Sequence, residues 1–443
     1  MKHLIISALL ASATLTGSAQ NPTTDNATRY TPAAENLKAR QDFSDSRFGI
    51  FLHWGLYSMF AQGEWYLNYG PDKDEYAKAA DAFYPHSFDA TKWISAIKAS
   101  GARYICFTTR HHEGFSMWDT KQSDYNIMHT PYGKDIVRQL ADECHKQDVR
   151  LHLYYSHIDW TREDYPAGRT GLTTGKDPKK ADWPHYYKFM NAQLTELLTQ
   201  YGKVDGIWFD GWWDHDEDSI PFNWQLPEQY RLIHSLQPAC IIGNNHHQTP
   251  FEGEDMQMFE RDIPGENKSG LSGQSISQLP LETCQTMNGM WGYKIKDQDY
   301  KSTKDLIRLL VRTAAKGANL LLNIGPQPNG ELPATALDRL KGIGEWLNGK
   351  AGESIYATVS GGVTAGDSIV TTMGKGRKAP LYIHVLTDKA MPQISLPLEK
   401  KPRRATNLTT GSSVKMHKKG KDVVFSPTDM KDNETDYIIK VEF

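Results

Sequence analysis

The chain of 443 residues has only four cysteines, Cys106, Cys144, Cys240 and Cys284. They are widely spaced and none forms a CxxC pair, which excludes zinc-ribbon patterns and gives no disulfide framework. Cys106, within Tyr104-Ile-Cys-Phe107, reads as a buried thiol. Charge of one sign is also lacking: 50 basic against 53 acidic residues leave a formal net charge of −3. Nucleic acid and anionic membranes need clustered Lys and Arg, so a neutral ligand fits better. There is no HExxH, no P-loop and no Gly-rich phosphate turn after an early strand. Gly270-Leu-Ser-Gly-Gln274 misses the nucleophile-elbow pattern at its last position. No apolar run is long enough to span a bilayer, and no repeat or low-complexity block interrupts the chain.

Aromatics, by contrast, are plentiful: 12 Trp and 21 Tyr. Both offer a flat apolar face with a polar edge, which suits sugars. The N-terminus reads as a secretion signal over residues 1–20. Lys2 and His3 precede the apolar stretch Leu4–Leu10, and Gly17 and Ala19 are small residues suited to cleavage. The protein is therefore expected to be exported, to a periplasm or to the medium. Residues 21 to about 39 read as a loose polar leader.

Strand-like and helix-like periods then alternate. Residues 47–53, 102–109, 149–155, 206–210, 240–244 and 319–324 read as strands. Residues 91–99, 136–147, 185–201, 227–236, 303–316 and 334–347 read as helices. This predicts a (β/α)8-like, TIM-type barrel, regular or irregular, over residues 21–351. One helix is expected to be weak or missing in the loop-rich stretch 245–303. From residue 352 to 443 only short strands and turns follow, at 368–372, 381–386, 393–396, 422–425 and 437–441. They predict a C-terminal antiparallel β-sandwich.

Function in such a barrel collects at the C-terminal ends of the strands. His53, Glu64 with Trp65 and Tyr66, His111 with His112, Tyr154 to His157, and Asp210 all stand at such ends or in adjoining loops. Each sets a hydrogen-bonding side chain beside an aromatic, as a sugar site requires. A lone strand-end His is more often structural, and Asp210 alone reads equally as a helix cap. Recurrence on successive strands tells against those readings. Adjacent strand residues point to opposite faces, so His111 and His112 are not expected to share a metal ion. Asp214, Asp216 and Asp218 mimic a calcium loop, but Ser219 and Gln225 replace its Gly and bidentate Glu; the run reads as a solvated loop. Neither a metal nor a cofactor is expected.

Long ordered strings carry a family resemblance over residues 40 to 360. Arg47-Phe-Gly-Ile-Phe-Leu-His-Trp-Gly-Leu-Tyr57, Gly63-Glu-Trp-Tyr66, Thr109-Arg-His-His-Glu-Gly-Phe115, Trp208-Phe-Asp-Gly211, Trp291-Gly-Tyr293, Asn319-Leu-Leu-Leu-Asn-Ile-Gly-Pro326 and Gly352-Glu-Ser-Ile-Tyr356 resemble the α-L-fucosidases of glycoside hydrolase family 29. The resemblance implies an exo-acting, retaining enzyme on fucosylated oligosaccharides or glycans, with two carboxyl groups about 5–5.5 Å apart. It places the nucleophile on Asp210. The acid/base falls in a variable loop, where Asp255-Met-Gln-Met-Phe-Glu-Arg261 resembles the family's D-x-x-T-x-E segment and selects Glu260. Glu282 is the runner-up; Glu252, Glu254 and Glu266 are more distant alternatives. Fucose-binding or pocket-wall positions fall on His53, Glu64, Trp65, His111, His112, Tyr155, Trp208 and Trp291. Trp291 would pack on the C5 methyl, where an apolar wall disfavours a hydroxymethyl. One departure is His246, where the family often has Arg; a titratable imidazole replaces a fixed cation. That departure keeps open a related exo-glycosidase, for instance on α-L-galactosides. A non-catalytic fucose-binding protein is the third reading. Oligomeric state and natural linkage are not legible.

Overall fold

The computed structural model describes residues 29–443; the expected signal segment lies outside the described residues. Eight parallel strands form the central sheet: β1 Phe48–Leu52, β2 Tyr104–Arg110, β3 Arg150–Ser156, β4 Gly206–Asp210, β5 Ile241–Asn245, β6 Gln257–Glu260, β7 Leu281–Thr286 and β8 Ala318–Ile324. Their spatial order is β5-β4-β3-β2-β1-β8-β7-β6. β1 pairs with β8 in parallel, Phe48 opposite Leu320, which wraps the sheet into a nearly closed barrel. At the seam between β5 and β6, Asp255 acts as a staple. Its backbone N–H donates to the Ile242 carbonyl at 2.7 Å, and its carboxylate accepts from the Ile242 N–H at 2.8 Å.

The strands are buried on both faces, so they read as near-continuous apolar runs. Alternation still sorts them. Ile50, Leu52, Ile105, Phe107, Leu153, Tyr155, Ile207 and Phe209 share a core with Trp93, Ile97, Leu140, Leu194 and Leu197 of the surrounding helices. Phe51, Tyr104, Cys106, Tyr154, Trp208, Met258, Cys284 and Leu321 form a separate cluster inside the barrel. The interior is tight: a Cβ on Gly49 would stand 2.4 Å from the Tyr104 ring.

The α-helices are α1 Ala34–Ser44, α2 Lys73–Ala77, α3 Ala90–Ala99, α4 Ile136–Gln147, α5 Trp183–Gln200, α6 Leu226–Leu236, α7 Thr303–Ala315 and α8 Ala334–Leu347. Asp89, Asp135, Asp182 and Ser302 cap α3, α4, α5 and α7 by accepting backbone N–H groups. After α7 the chain turns at Gly317, whose φ of +76° suits a residue without Cβ.

Two expectations change here. The loose leader gives way at Ala34 to α1, which has no clear apolar period. It is held by tertiary contacts: Arg40 pairs with Asp255 at 2.5 Å, and Phe43 packs edge-on to Tyr104 inside the barrel. The stretch 245–303 lacks two crossover helices rather than one, and holds the short strands β6 and β7 instead.

From Val359 onward the chain is antiparallel. Strands β9 Val359–Ser360, β10 Ile369–Met373, β11 Leu381–Val385, β12 Ile394–Pro397, β13 Arg404–Asn407, β14 Lys415–Lys419, β15 Asp422–Ser426 and β16 Tyr437–Glu442 form two sheets, ordered β13-β16-β11-β10-β9 and β12-β15-β14. They enclose a core that includes Ile383, Leu396, Phe425 and Ile439. Strand β14 has the sequence Lys-Met-His-Lys-Lys and is largely exposed, so no apolar pattern announced it. Arg308 of α7 joins barrel to sandwich by donating to Asp388 and to the carbonyls of Thr387, Glu434 and Thr435.

Candidate active site

A cavity of about 440 Å³ opens at the C-terminal ends of the barrel strands. Strand register builds its floor. Ser156 of β3, Asp210 of β4 and Asn245 of β5 stand side by side, and Glu260 ends β6 opposite Cys284 of β7. Glu260 thus ends a strand rather than riding on an irregular loop.

Asp210 is held on both oxygens. Oδ1 accepts from the Gly211 N–H and the Trp213 indole, each at 2.9 Å, and Oδ2 accepts from the Tyr154 hydroxyl at 2.9 Å. Asn245 Nδ2 lies 3.4 Å from Asp210 Oδ1 and 2.8 Å from Glu260 Oε2. Those two oxygens are therefore at most about 6.2 Å apart, short of the roughly 6.5–9.5 Å that an inverting pair leaves for water.

Two carboxyls this close in a dry site compete for ionisation. Burial, then the charge of Glu260, pushes Asp210 up to about 6. Burial works on Glu260 in the same direction, but the hydrogen bond and charge of His247, with Asn245 and Arg261, hold it below the usual glutamate range. In the free protein the first proton therefore favours Asp210.

The histidines are neutral acceptors. His53 Nδ1 lies 2.6 Å from Asn323 Oδ1, whose amide is oriented by Nδ2 donating to the Trp291 carbonyl. His112 Nδ1 lies 2.6 Å from Ser156 Oγ, which itself donates to the Ile158 carbonyl. Both networks put the ring proton on Nδ1 and leave Nε2 with a lone pair. Burial drives both imidazoles down to about 3, so they stay uncharged near neutrality. Burial and the neighbouring rings also depress His111, whose Nδ1 has no protein partner among the described residues. Buried acceptors without donors suit a ligand rich in hydroxyl groups.

His111 and His112 do not diverge as strand alternation implied. β2 ends at Arg110 after a register shift, and their rings lie 4.1 Å apart. With Asp210 they offer ligand atoms within 4.8 Å of one another, a metal-like spacing. The donors already turned onto Asp210 fit a positioned carboxylate better than a metal ligand.

Trp65, Trp208 and Trp291 wall the cavity, together with Phe51 and Trp213. Trp65 stacks on Trp213 at 5.7 Å, and Trp291 leans on His53 at 5.3 Å. The outer wall is formed by Asn68, Arg169, Thr170 and Leu271. Glu64 is buried behind the aromatic wall, accepting from the Gly292 N–H at 2.7 Å, and its pKa is raised mainly by burial. Glu282 is wholly buried beneath the cavity, between the Tyr104 hydroxyl at 2.7 Å and the Trp208 indole at 2.8 Å. Burial pushes it up to about 7.

Three residues are placed differently from expectation. Tyr155 faces the helices, its hydroxyl donating to Gln193 at 2.7 Å; its neighbour Tyr154 lines the cavity instead. His246 turns away to Glu254 at 3.1 Å, while Asn245 and His247 reach the cavity. Asp214 is not solvated: it is buried and accepts from Tyr165, Gly168 and Thr170. Trp213, Asn245 and His247, which line the cavity, had been given no role, and Tyr154 had been named only within its strand-end string. For Trp213 a signal existed, three residues after a strand-end Asp.

The α-L-fucosidase family model matches residues 17–352. Plasma α-L-fucosidase of Homo sapiens is 28% identical over 364 residues, covering 75% of this chain and 73% of that protein. The structure of α-L-fucosidase isoenzyme 1 from Paenibacillus thiaminolyticus superposes with a TM-score of 0.81 at 32% identity, covering 92% of this chain and 99% of that one. A GH29 α-L-fucosidase from Bacteroides thetaiotaomicron, trapped as a covalent intermediate with 2-fluoro-fucosyl fluoride, gives a TM-score of 0.77 at 26% identity over 94% of this chain and 97% of that one. The chain belongs to the α-L-fucosidase family of glycoside hydrolases, GH29.

Proposed function

We propose that this protein is a retaining exo-α-L-fucosidase that removes terminal α-L-fucose from oligosaccharides or glycoconjugates. The observation that carries the reading is the pair of buried strand-end carboxylates, Asp210 and Glu260, spanned by one amide nitrogen of Asn245. Ionised Asp210 attacks the anomeric carbon while the bond to the leaving oxygen breaks and Glu260 supplies its proton. In the second step Glu260 takes a proton from water, the water oxygen attacks the anomeric carbon, and Asp210 leaves as carboxylate. Positive charge growing at the anomeric carbon favours ionised Asp210 and moves the shared proton toward Glu260. The lone pairs of His53 and His112 accept from sugar hydroxyls. Phe51 and Trp291, packed edge to face with ring centroids 6.1 Å apart, form an apolar wall that suits a methyl at C5.

Asp210→Ala is expected to abolish release of 4-nitrophenol from the aryl α-L-fucoside with the fold intact. Azide is expected to rescue Glu260→Ala and to give a fucosyl azide of retained configuration. Undiminished turnover by Asp210→Ala, or a preference for the aryl α-L-galactoside, overturns the reading.

The division into residues 21–351 and 352–443, and export directed by residues 1–20, belong to the same proposal. N-terminal sequencing of the exported protein tests the latter. Among the described residues no helix is long and apolar enough to cross a membrane.

A further inference from the structure

We propose that His247 is a positioning residue for the acid/base: it shares a proton with Glu260 and sets the upper pH limit for protonating the leaving group. This rests on the fucosidase reading, and on geometry that the His246 expectation did not contain. His246 is bolted outward. Its Nε2 lies 3.1 Å from both oxygens of Glu254, and its Nδ1 accepts the Gln248 N–H at 3.0 Å. His247 then adopts a left-handed backbone, φ +61°, which sends the next ring the other way. Its Nε2 reaches Glu260 Oε2 at 3.1 Å, and its side chain is 19% exposed at the cavity wall.

Glu260 Oε2 thus has two nitrogen neighbours of different kinds. Asn245 Nδ2, at 2.8 Å, is a donor at every pH. The imidazole either donates to the carboxylate or accepts from the carboxylic acid, so one proton lies between Glu260 and His247 in either form. The other charged or titratable groups facing this pair are Asp210 from β4, His53 after β1, Glu64, Arg261, Cys284 of β7, and Asp216, which faces His247. Of these, Arg261 is the one fixed cation. His247 is therefore the imidazole in direct contact with Glu260. Its hydrogen bond and charge both lower the Glu260 pKa.

The test is the pH dependence of kcat/KM on phenyl α-L-fucoside, whose poor leaving group needs a proton, for the wild type, His247→Gln and His247→Ala. Gln keeps an N–H donor but cannot titrate; Ala removes both. Thermal melts of each accompany the profiles. Both variants are expected to move the basic limb downward by about one pH unit, because the last proton of the pair is then held by Glu260 alone. Rates on the 4-nitrophenyl fucoside below pH 6 are expected to change less than on the phenyl fucoside. An unmoved limb in both variants, an upward shift, or a wild-type limb in His247→Gln overturns the role of His247. A wild type inactive on every aryl α-L-fucoside overturns the proposed reaction instead, so the two failures are distinguishable.

Discussion

Removing a single oxygen, by Tyr154→Phe, tests how Asp210 is kept ionised. The Tyr154 hydroxyl donates to Asp210 Oδ2 at 2.9 Å, in a site where burial has already lifted the carboxyl to about 6. A hydrogen bond to a charged group contributes about 1.5–3 kcal/mol, and each pKa unit corresponds to about 1.4 kcal/mol. Losing this bond should therefore lift Asp210 by about one to two units, to roughly 7–8. At pH 6 the ionised fraction falls from about one half to between about a tenth and a hundredth. The ratio of variant to wild-type kcat/KM should thus be about 0.02–0.2 at pH 6 and return to above about 0.5 at pH 8. The ring itself stays in place: it stacks on His111 at 5.3 Å and on Trp208 at 5.5 Å, so cavity shape is conserved. The assay is kcat/KM on 4-nitrophenyl α-L-fucoside from pH 4.5 to 8.5, which reports the free enzyme. A ratio constant across that range refutes the argument, because Tyr154 would then act through binding rather than through the charge on Asp210.

Further consequences follow from the buried carboxyls and their partners. Asp210 has its folded pKa raised from 3.8 to about 6, so the stability tied to its proton is present below pH 4 and lost as pH rises through 6. Asp210→Asn should gain up to about 3 kcal/mol at pH 8 relative to wild type and almost nothing at pH 4, by urea unfolding; an equal change at both pH values contradicts this. Glu282 does not line the cavity, so Glu282→Gln should keep turnover, lowered on the order of tenfold by loosening of Trp208, and azide should not rescue it. Arg110 at the end of β2 and Asp159 form a wholly buried ion pair against Tyr186 of α5. Arg110→Met should cost about 3–5 kcal/mol in urea unfolding, and a loss below about 1 kcal/mol would show that the charge left on Asp159 finds other partners.

Most of the barrel was legible because its strands are apolar runs closed by capped helices. Asp135 before α4 and Ser302 before α7 are written in the sequence as plainly as the periods they start. What was not legible depends on partners far along the chain. Helix α1 is polar and becomes a helix only because Arg40 finds Asp255 and Phe43 finds Tyr104. In β3, Tyr154 and Tyr155 are both fully buried, so alternation alone could not tell the barrel interior from the helix-facing side. His246 was named from the family resemblance alone; it lies just beyond β5, and the left-handed backbone at His247 turns the next ring to the cavity instead. The histidines after β2 escaped alternation because the strand ends before them.

The two carboxylates differ in how they are held, and this explains why one announced itself and the other did not. Asp210 sits in the helix-backed half of the barrel. Its carboxylate donors come from β3 and from its own turn, within three residues of the strand end. A short motif can encode that arrangement, since the strand, the tight turn at Gly211 and Trp213 are contiguous. Glu260 sits where both crossover helices are missing. Its carboxylate is held from Asn245 and His247, and its backbone carbonyl accepts from Ser269 and Ser272 across the following loop. That same loop brings Leu271 to the cavity wall. Glu260 therefore ends a strand whose following loop forms part of the outer wall, while Asp210 is held by β3 and its own turn. The serines that fix the Glu260 backbone and the Leu271 wall thus belong to one loop, apart from the elements that hold Asp210. No fixed spacing from Asp210 can locate a carboxylate whose partners, Asn245 and His247, precede it by 15 and 13 residues.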